Sequence, residues 1–159
     1  MADILLERTF DAPRDLVFRA WTDPEQLVQW FAPRGCSIEF ERIDPREGGS
    51  FHSCIRTPVG PDCWCVGTYL EIMPPERLAF TMRLADADGN PLDSEGAGKD
   101  SEWPEETTIT VTLTEDSGRT HMTLHQNAPE EIARRTGAYG SWIEMFDRLA
   151  ESLPTRTSA

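Results

Sequence analysis

The run Gly137-Ala-Tyr-Gly-Ser-Trp-Ile-Glu-Met-Phe-Asp-Arg-Leu149, near the end of the chain, decides most of the predicted fold. Side chains suited to burial recur through this run and its flanking residues, at alternating intervals of four and three positions. That spacing is typical of one face of a helix. The face comprises Ile132, Thr136, Tyr139, Ile143, Phe146, Ala150 and Leu153. The pattern therefore predicts one long and continuous C-terminal helix.

The ends of this predicted helix also have sequence signals. Asn127 can cap its start, and Glu130 three residues later completes a pattern like a capping box. Pro154 ends it, because proline cannot continue a helix. Gly137 and Gly140 fall inside the helix, where each glycine costs about 1 kcal/mol relative to alanine. We expect close packing on a sheet, or space for a guest molecule, to offset that cost.

The first part of the chain predicts one strand and two short helices. Residues 4–10 alternate between two faces, as a strand does. Asp11-Ala-Pro13 and Thr22-Asp23-Pro24 are helix starts, because a capping side chain is followed by a proline that the first turn tolerates. Pro33-Arg-Gly35 ends the second helix.

From Cys36 to Gln126 the pattern has a period of two and predicts six strands. The side chains expected to face inward on the last two strands are Ile109, Val111, Leu113, Met122 and Leu124. The acidic segment 86–106 contains several glycines and prolines, has no periodicity, and predicts a long mobile hairpin connection. Residues 1–159 are thus predicted to form a single α+β domain, a curved antiparallel sheet around a long C-terminal helix, with a short disordered tail at 154–159.

Composition and charge argue against several classes of partner. A formal net charge of -13 disfavours binding to nucleic-acid phosphates or to an anionic membrane surface. No apolar run approaches the length of a membrane span, and the N-terminus lacks the pattern of a signal peptide. Four cysteines in such a chain are interpreted as thiols rather than a disulfide framework. We therefore expect a cytoplasmic protein that neither binds nucleic acid nor inserts into a membrane.

Four segments in this order resemble one known superfamily. They are Trp21 to Pro33, Gly48-Gly-Ser-Phe51, Pro74 to Thr81, and Gly137 to Leu149. Together they are similar to the SRPBCC (START-like) superfamily, in its bacterial single-domain branch related to the activator of the heat-shock-protein ATPase. The resemblance extends from about Ile4 to Leu153. It implies a helix-grip fold with a cavity for apolar ligands between the long helix and the sheet.

A set of large side chains on the predicted elements would border such a cavity. The expected ligand-binding residues are Trp30, Phe51, Phe80, Met82, Tyr139, Trp142 and Phe146. The alternative for each of them is ordinary core packing, since aromatic side chains at this spacing are common in cores.

The hairpin around Pro58 to Pro61 contains a group of metal-binding residue types. If its strands pair symmetrically about that turn, Cys54 lies opposite Cys65 and His52 opposite Gly67, with Cys63 on the same face. Zinc prefers such ligands in a tetrahedron, whereas neighbouring strand residues point in parallel. We therefore expect no metal, with His52, Cys54, Cys63 and Cys65 as the alternative ligand set.

Three functions remain open, and binding of a small apolar or aromatic ligand is the main expectation. The resemblance also implies a co-chaperone-type interaction in the stress response. A third alternative is a cyclase- or hydrolase-like enzyme, which a polar residue such as Gln126 or Glu144 facing the cavity would favour. No catalytic residue or cofactor is predicted, because His121 and His125 are expected to face solvent and no nucleophile motif is present. A homodimer is left open.

Overall fold

A computed structural model describes residues 2–93, 96 and 102–153. The elements, in chain order, are β1 (Asp3–Phe10), α1 (Arg14–Thr22), α2 (Pro24–Trp30), β2 (Ser37–Ile43), β3 (Ser50–Arg56), β4 (Cys63–Met73), β5 (Arg77–Ala85), β6 (Glu106–Asp116), β7 (Arg119–Pro129), α3 (Glu130–Thr136) and α4 (Ala138–Ser152). This arrangement confirms the predicted α+β helix-grip class, with a curved antiparallel sheet and a C-terminal helix. The predicted tail at 154–159 lies outside the described residues.

The seven strands form one antiparallel sheet in the order β1-β7-β6-β5-β4-β3-β2. Each strand from β2 to β7 pairs with the strand next to it in sequence, whereas β1 pairs with β7. Val111 faces Leu124 and Leu113 faces Met122 across β6 and β7, and these residues are buried as predicted. Threonines alternate with them on the opposite face of β6.

The helix α2 starts as predicted, but the predicted cap of α1 is wrong. Asp11 does not cap α1, because the N-cap residue there is Pro13 and no side chain caps the helix. Asp23 accepts a hydrogen bond from the backbone N–H of Glu25 at 3.0 Å, and Pro24 occupies the first turn of α2. The indole N–H of Trp30 donates to the carbonyl of Ala20 at 3.0 Å and joins the two helices in the core. Since Trp30 is fully buried, this bond satisfies a group that would otherwise be costly to bury.

The predicted continuous C-terminal helix is wrong in two respects. Asn127 belongs to β7 rather than to a helix cap, and its side chain accepts a hydrogen bond from the backbone N–H of Thr108 at 2.6 Å. Gly137 has a φ of +92°, which ends α3 and separates it from α4. The helical phase restarts there, so the buried face of α4 comprises Trp142, Met145, Phe146 and Leu149. Ile143, assigned to the buried stripe, is 39% exposed.

The acidic segment 86–106 begins with a hydrogen-bonded turn. The carboxylate of Asp86 accepts hydrogen bonds from the backbone N–H groups of Asp88 and Asn90, each at 2.9 Å. The backbone of Leu92 then donates to Leu84 at 2.9 Å, which returns the chain to β5. The middle of the segment, at 94–95 and 97–101, lies outside the described residues.

Candidate ligand-binding cavity

A cavity of about 400 Å³ lies between the start of α4 and one end of the sheet. Its wall is mainly apolar and combines side chains from the sheet, from α4 and from the residue that follows α2: Ile55, Met82, Leu84, Trp142, Met145 and Phe31. A volume of this size is within the range of small-molecule sites in proteins.

The break at Gly137 shapes this cavity. Gly137 and the start of α4 present small residues to it, the latter through Ala138 and Ser141, whereas Trp142 and Met145 follow along the helix. Small side chains leave the space open at the corner between α3 and α4. The larger ones, a turn further on, join the hydrophobic core.

Three buried polar side chains form a connected network in the wall. The indole N–H of Trp142 donates to Oε1 of Gln126 at 3.0 Å. The amide Nε2 of Gln126 donates to Oγ1 of Thr107, also at 3.0 Å. All three residues line the cavity and none is more than 5% exposed.

A charged pair borders the cavity at its rim. Arg83 and Glu105 lie with Nη2 and Oε2 3.6 Å apart, and both side chains are partly exposed. The Nε atom of Arg83 is buried, and within the described part of the chain no acceptor contacts it. The two charges of this pair balance each other, but the N–H group at Nε of Arg83 donates to no described residue.

The structure distributes the seven predicted site residues over four environments. Met82 and Trp142 line the cavity. Phe51 and Phe80 border a separate void of about 20 Å³, next to Tyr69, whose pKa is raised by burial to about 12. The remaining three residues line neither space: Trp30 and Phe146 are packed in the core, and Tyr139 stacks on the guanidinium of Arg134, 3.9 Å from the ring centre.

The sequence did not assign Thr107 or Ser141 to the site. It singled out Gln126 only as a residue that would favour an enzyme if it faced the cavity. The signal for Thr107 and Gln126 was present, because both occupy inward positions of the period-two pattern in β6 and β7. Ser141 could not be assigned, since its orientation depends on where the helical phase restarts after Gly137. Glu144, the other residue that would favour an enzyme, does not line the cavity.

The predicted register of the cysteine hairpin is wrong by one residue. Cys54 pairs with Trp64, and Cys65 pairs with Ser53, so Cys54 and Cys65 face opposite sides of the sheet. His52 likewise pairs with Val66 rather than with Gly67. A one-residue shift of an antiparallel pair always exchanges faces in this way.

The cysteine side chains consequently have two different environments. Cys63 and Cys65 line the cavity, together with Cys36. His52 and Cys54 are buried on the other face, where burial and then the charge of Asp62 raise the pKa of the Cys54 thiol. The four residues of the alternative ligand set are therefore not brought together, and no group of three or more metal-binding side chains exists among the described residues.

The other two histidines face solvent, as expected. His121 lies 3.4 Å from a carboxylate oxygen of Glu7, and His125 lies 3.0 Å from one of Asp3, all on the outer face of β1 and β7. Neither histidine lines the cavity.

No helix in residues 2–93, 96 and 102–153 is long and apolar enough to cross a membrane.

The fold and cavity together define a helix-grip protein of the START-like class. Residues 11–153 match the family model described as "Activator of Hsp90 ATPase homolog 1-like protein", and the chain belongs to this family. No curated protein matches the chain.

Solved structures of bacterial proteins share the fold. A Chromobacterium violaceum protein is 28% identical, with a TM-score of 0.77, and the match covers 94% of this chain and 95% of that one. A Staphylococcus epidermidis protein is 26% identical, with a TM-score of 0.77 and coverage of 95% and 88%. The AHSA1 protein from Silicibacter pomeroyi is 20% identical, with a TM-score of 0.73 and coverage of 94% and 96%, and supports the fold alone.

Proposed function

We propose that this protein binds a small apolar or aromatic molecule in the cavity between α4 and the sheet. The observation that supports this most directly is the cavity itself, which has a volume of about 400 Å³ and an apolar wall from both layers of the fold. Burial of apolar ligand surface there would contribute about 25 cal/mol per Å² to binding. Small residues at the start of α4 keep the space unfilled.

The wall favours binding over acid–base catalysis. Gln126 faces the cavity, which was the feature expected to favour an enzyme, but a side-chain amide does not titrate, and this one is held by Trp142 and Thr107. Among the described residues of the wall, the carboxylate of Glu105 pairs with the guanidinium of Arg83 at the rim. The co-chaperone alternative has the family description as its support.

Two neighbouring residues of α4 provide a matched test. Ser141 lines the cavity, whereas Gly140 is exposed and a side chain there would meet open space. Replacing Ser141 with leucine should fill part of the cavity, and replacing Gly140 with leucine should add the same side chain outside it. Both variants keep a residue with good helix propensity in α4.

The assay is titration with N-phenyl-1-naphthylamine, a neutral aromatic dye whose fluorescence rises in apolar surroundings. We expect saturable binding to the wild type and to Gly140→Leu, and at least tenfold weaker binding to Ser141→Leu. Circular dichroism checks that both variants are folded. Absence of saturable binding to the wild type, or equal affinity of the two leucine variants, would contradict the proposal.

A further inference from the structure

The hydrogen-bond network in the cavity wall has a fixed direction. An indole N–H is only a donor, so the atom of Gln126 that meets Trp142 must be the carbonyl oxygen. The amide nitrogen of Gln126 therefore points to Thr107, and there it must donate. The direction runs from Trp142 through Gln126 to the hydroxyl of Thr107.

The network ends in a donor that is not used within the described part of the chain. The oxygen of Thr107 accepts from Gln126, so the hydrogen of this hydroxyl is left to be donated, and no described protein atom accepts it. Thr107 is only 3% exposed and lines the cavity. Buried donors are normally satisfied, so an acceptor is expected inside the cavity.

A second unused donor borders the same space. The buried Nε of Arg83 contacts no acceptor in the described residues, whereas the guanidinium charge is already balanced by Glu105 at the rim. The carbonyl of Gln126 accepts from Trp142. The wall thus has unused donors and no unbalanced charge for an anion.

From these unused donors we infer that the ligand is a neutral apolar or aromatic carbonyl compound, such as a ketone, ester or quinone. Its oxygen accepts the hydrogen bond of Thr107, while its apolar body contacts Met82 and Trp142. This inference rests on the proposed function, because it assigns a chemical class to the guest of the same cavity.

Two probes of nearly the same shape isolate the carbonyl group: 2-acetylnaphthalene and 2-ethylnaphthalene, which differ by C=O against CH₂. Their dissociation constants are measured by displacement of N-phenyl-1-naphthylamine and compared with their partitioning between water and hexadecane. That partitioning is the reference because a ketone loses hydrogen bonds to water when it enters an apolar space. We expect the wild type to favour the ketone by about tenfold more than partitioning predicts, the value of one buried hydrogen bond.

A near-isosteric variant tests the residue. Thr107→Val should remove about tenfold of the ketone preference and leave the hydrocarbon within about twofold, as one hydrogen bond is lost. Thr110→Val, on the opposite face of β6, should leave both affinities unchanged. If Thr107→Val does not fold, the comparison of the two probes on the wild type still tests whether the cavity prefers a carbonyl compound.

The outcomes separate the inference from the proposed function. If both probes bind the wild type in the ratio that partitioning predicts, the cavity binds apolar molecules but the carbonyl assignment is wrong. An unchanged ketone preference in folded Thr107→Val would also overturn the role of Thr107. If neither probe nor the dye binds, the proposed function fails and the inference fails with it.

Discussion

Gly137 and Gly140 are three residues apart, yet replacing each with alanine should change stability in opposite directions. Gly137 has a φ of +92°, and a Cβ there would meet nothing within 4 Å, so the cost is one of backbone strain alone. A left-handed conformation costs an alanine about 1–2 kcal/mol. The smaller entropy of the unfolded alanine chain returns about 0.4–1 kcal/mol of this. We expect Gly137→Ala to lower the free energy of unfolding by about 1 kcal/mol.

Gly140 lies within α4, and a Cβ there would also meet open space. Alanine is favoured over glycine in a helix interior, so Gly140→Ala should raise the free energy of unfolding by about 0.5–1 kcal/mol. The two variants should therefore differ by about 1.5–2 kcal/mol, and their melting temperatures by about 3–8 °C.

Urea denaturation followed by circular dichroism measures both variants against the wild type, with stability taken from the midpoint at a common slope. Gly137→Asn is the control, because asparagine tolerates the left-handed conformation better than alanine and should lose less. Stabilisation by both alanine substitutions would refute the argument, since it would mean that one continuous helix passes through position 137.

Three further predictions concern the core, the sheet and the acidic turn. Phe146→Ala should cost about 3–5 kcal/mol, because the ring is 1% exposed, whereas the partly exposed Ile143→Ala should cost less than about 1 kcal/mol in the same urea assay; similar losses would contradict the phase of α4. Gly67→Ala should lower the urea midpoint, because its Cβ would collide with the carbonyl of Thr81 and the ring of Phe51; an unchanged midpoint would contradict that packing. The backbone N–H of Asn90 lowers the pKa of Asp86 from 3.8, so the stability this carboxylate adds is present at neutral pH and is lost as pH falls through the folded pKa. The stability difference between wild type and Asp86→Asn should accordingly shrink below about pH 4, and a difference independent of pH would contradict this.

The sheet could be predicted from the sequence because its signal is local. Inward residues such as Val111 and Leu124 alternate with polar ones, and that alternation alone assigns the buried face. The start of α2 was equally local, since Asp23 and Pro24 are adjacent in the chain.

The site was less accessible to prediction because it depends on phase and register. The stripe through Ile143 assumed that helical phase continues from Ile132, and the left-handed residue Gly137 resets it, which turns Trp142 and Ser141 inward instead. The cysteine assignment assumed a symmetric turn, and the actual pairing of Ile55 with Cys63 moves the centre of the hairpin by half a residue. An error of one residue in phase or register changes the predicted neighbours of a side chain but leaves the predicted fold unchanged.

The pairing of β1 with β7 affects the order in which the protein can assemble during synthesis. Strands β2 to β7 can pair one after another as they leave the ribosome, because each neighbours the next in sequence. β1 is made before all of them, but the strand it pairs with among the described residues is the last, with Asp3 opposite Pro129 and Phe10 opposite Thr120. At about 5–20 residues per second, β1 waits on the order of 10 s for β7. Throughout that interval its apolar residues Ile4, Leu6 and Phe10 lack the strand against which they are finally buried, so the first strand to be made is the last to enter the sheet.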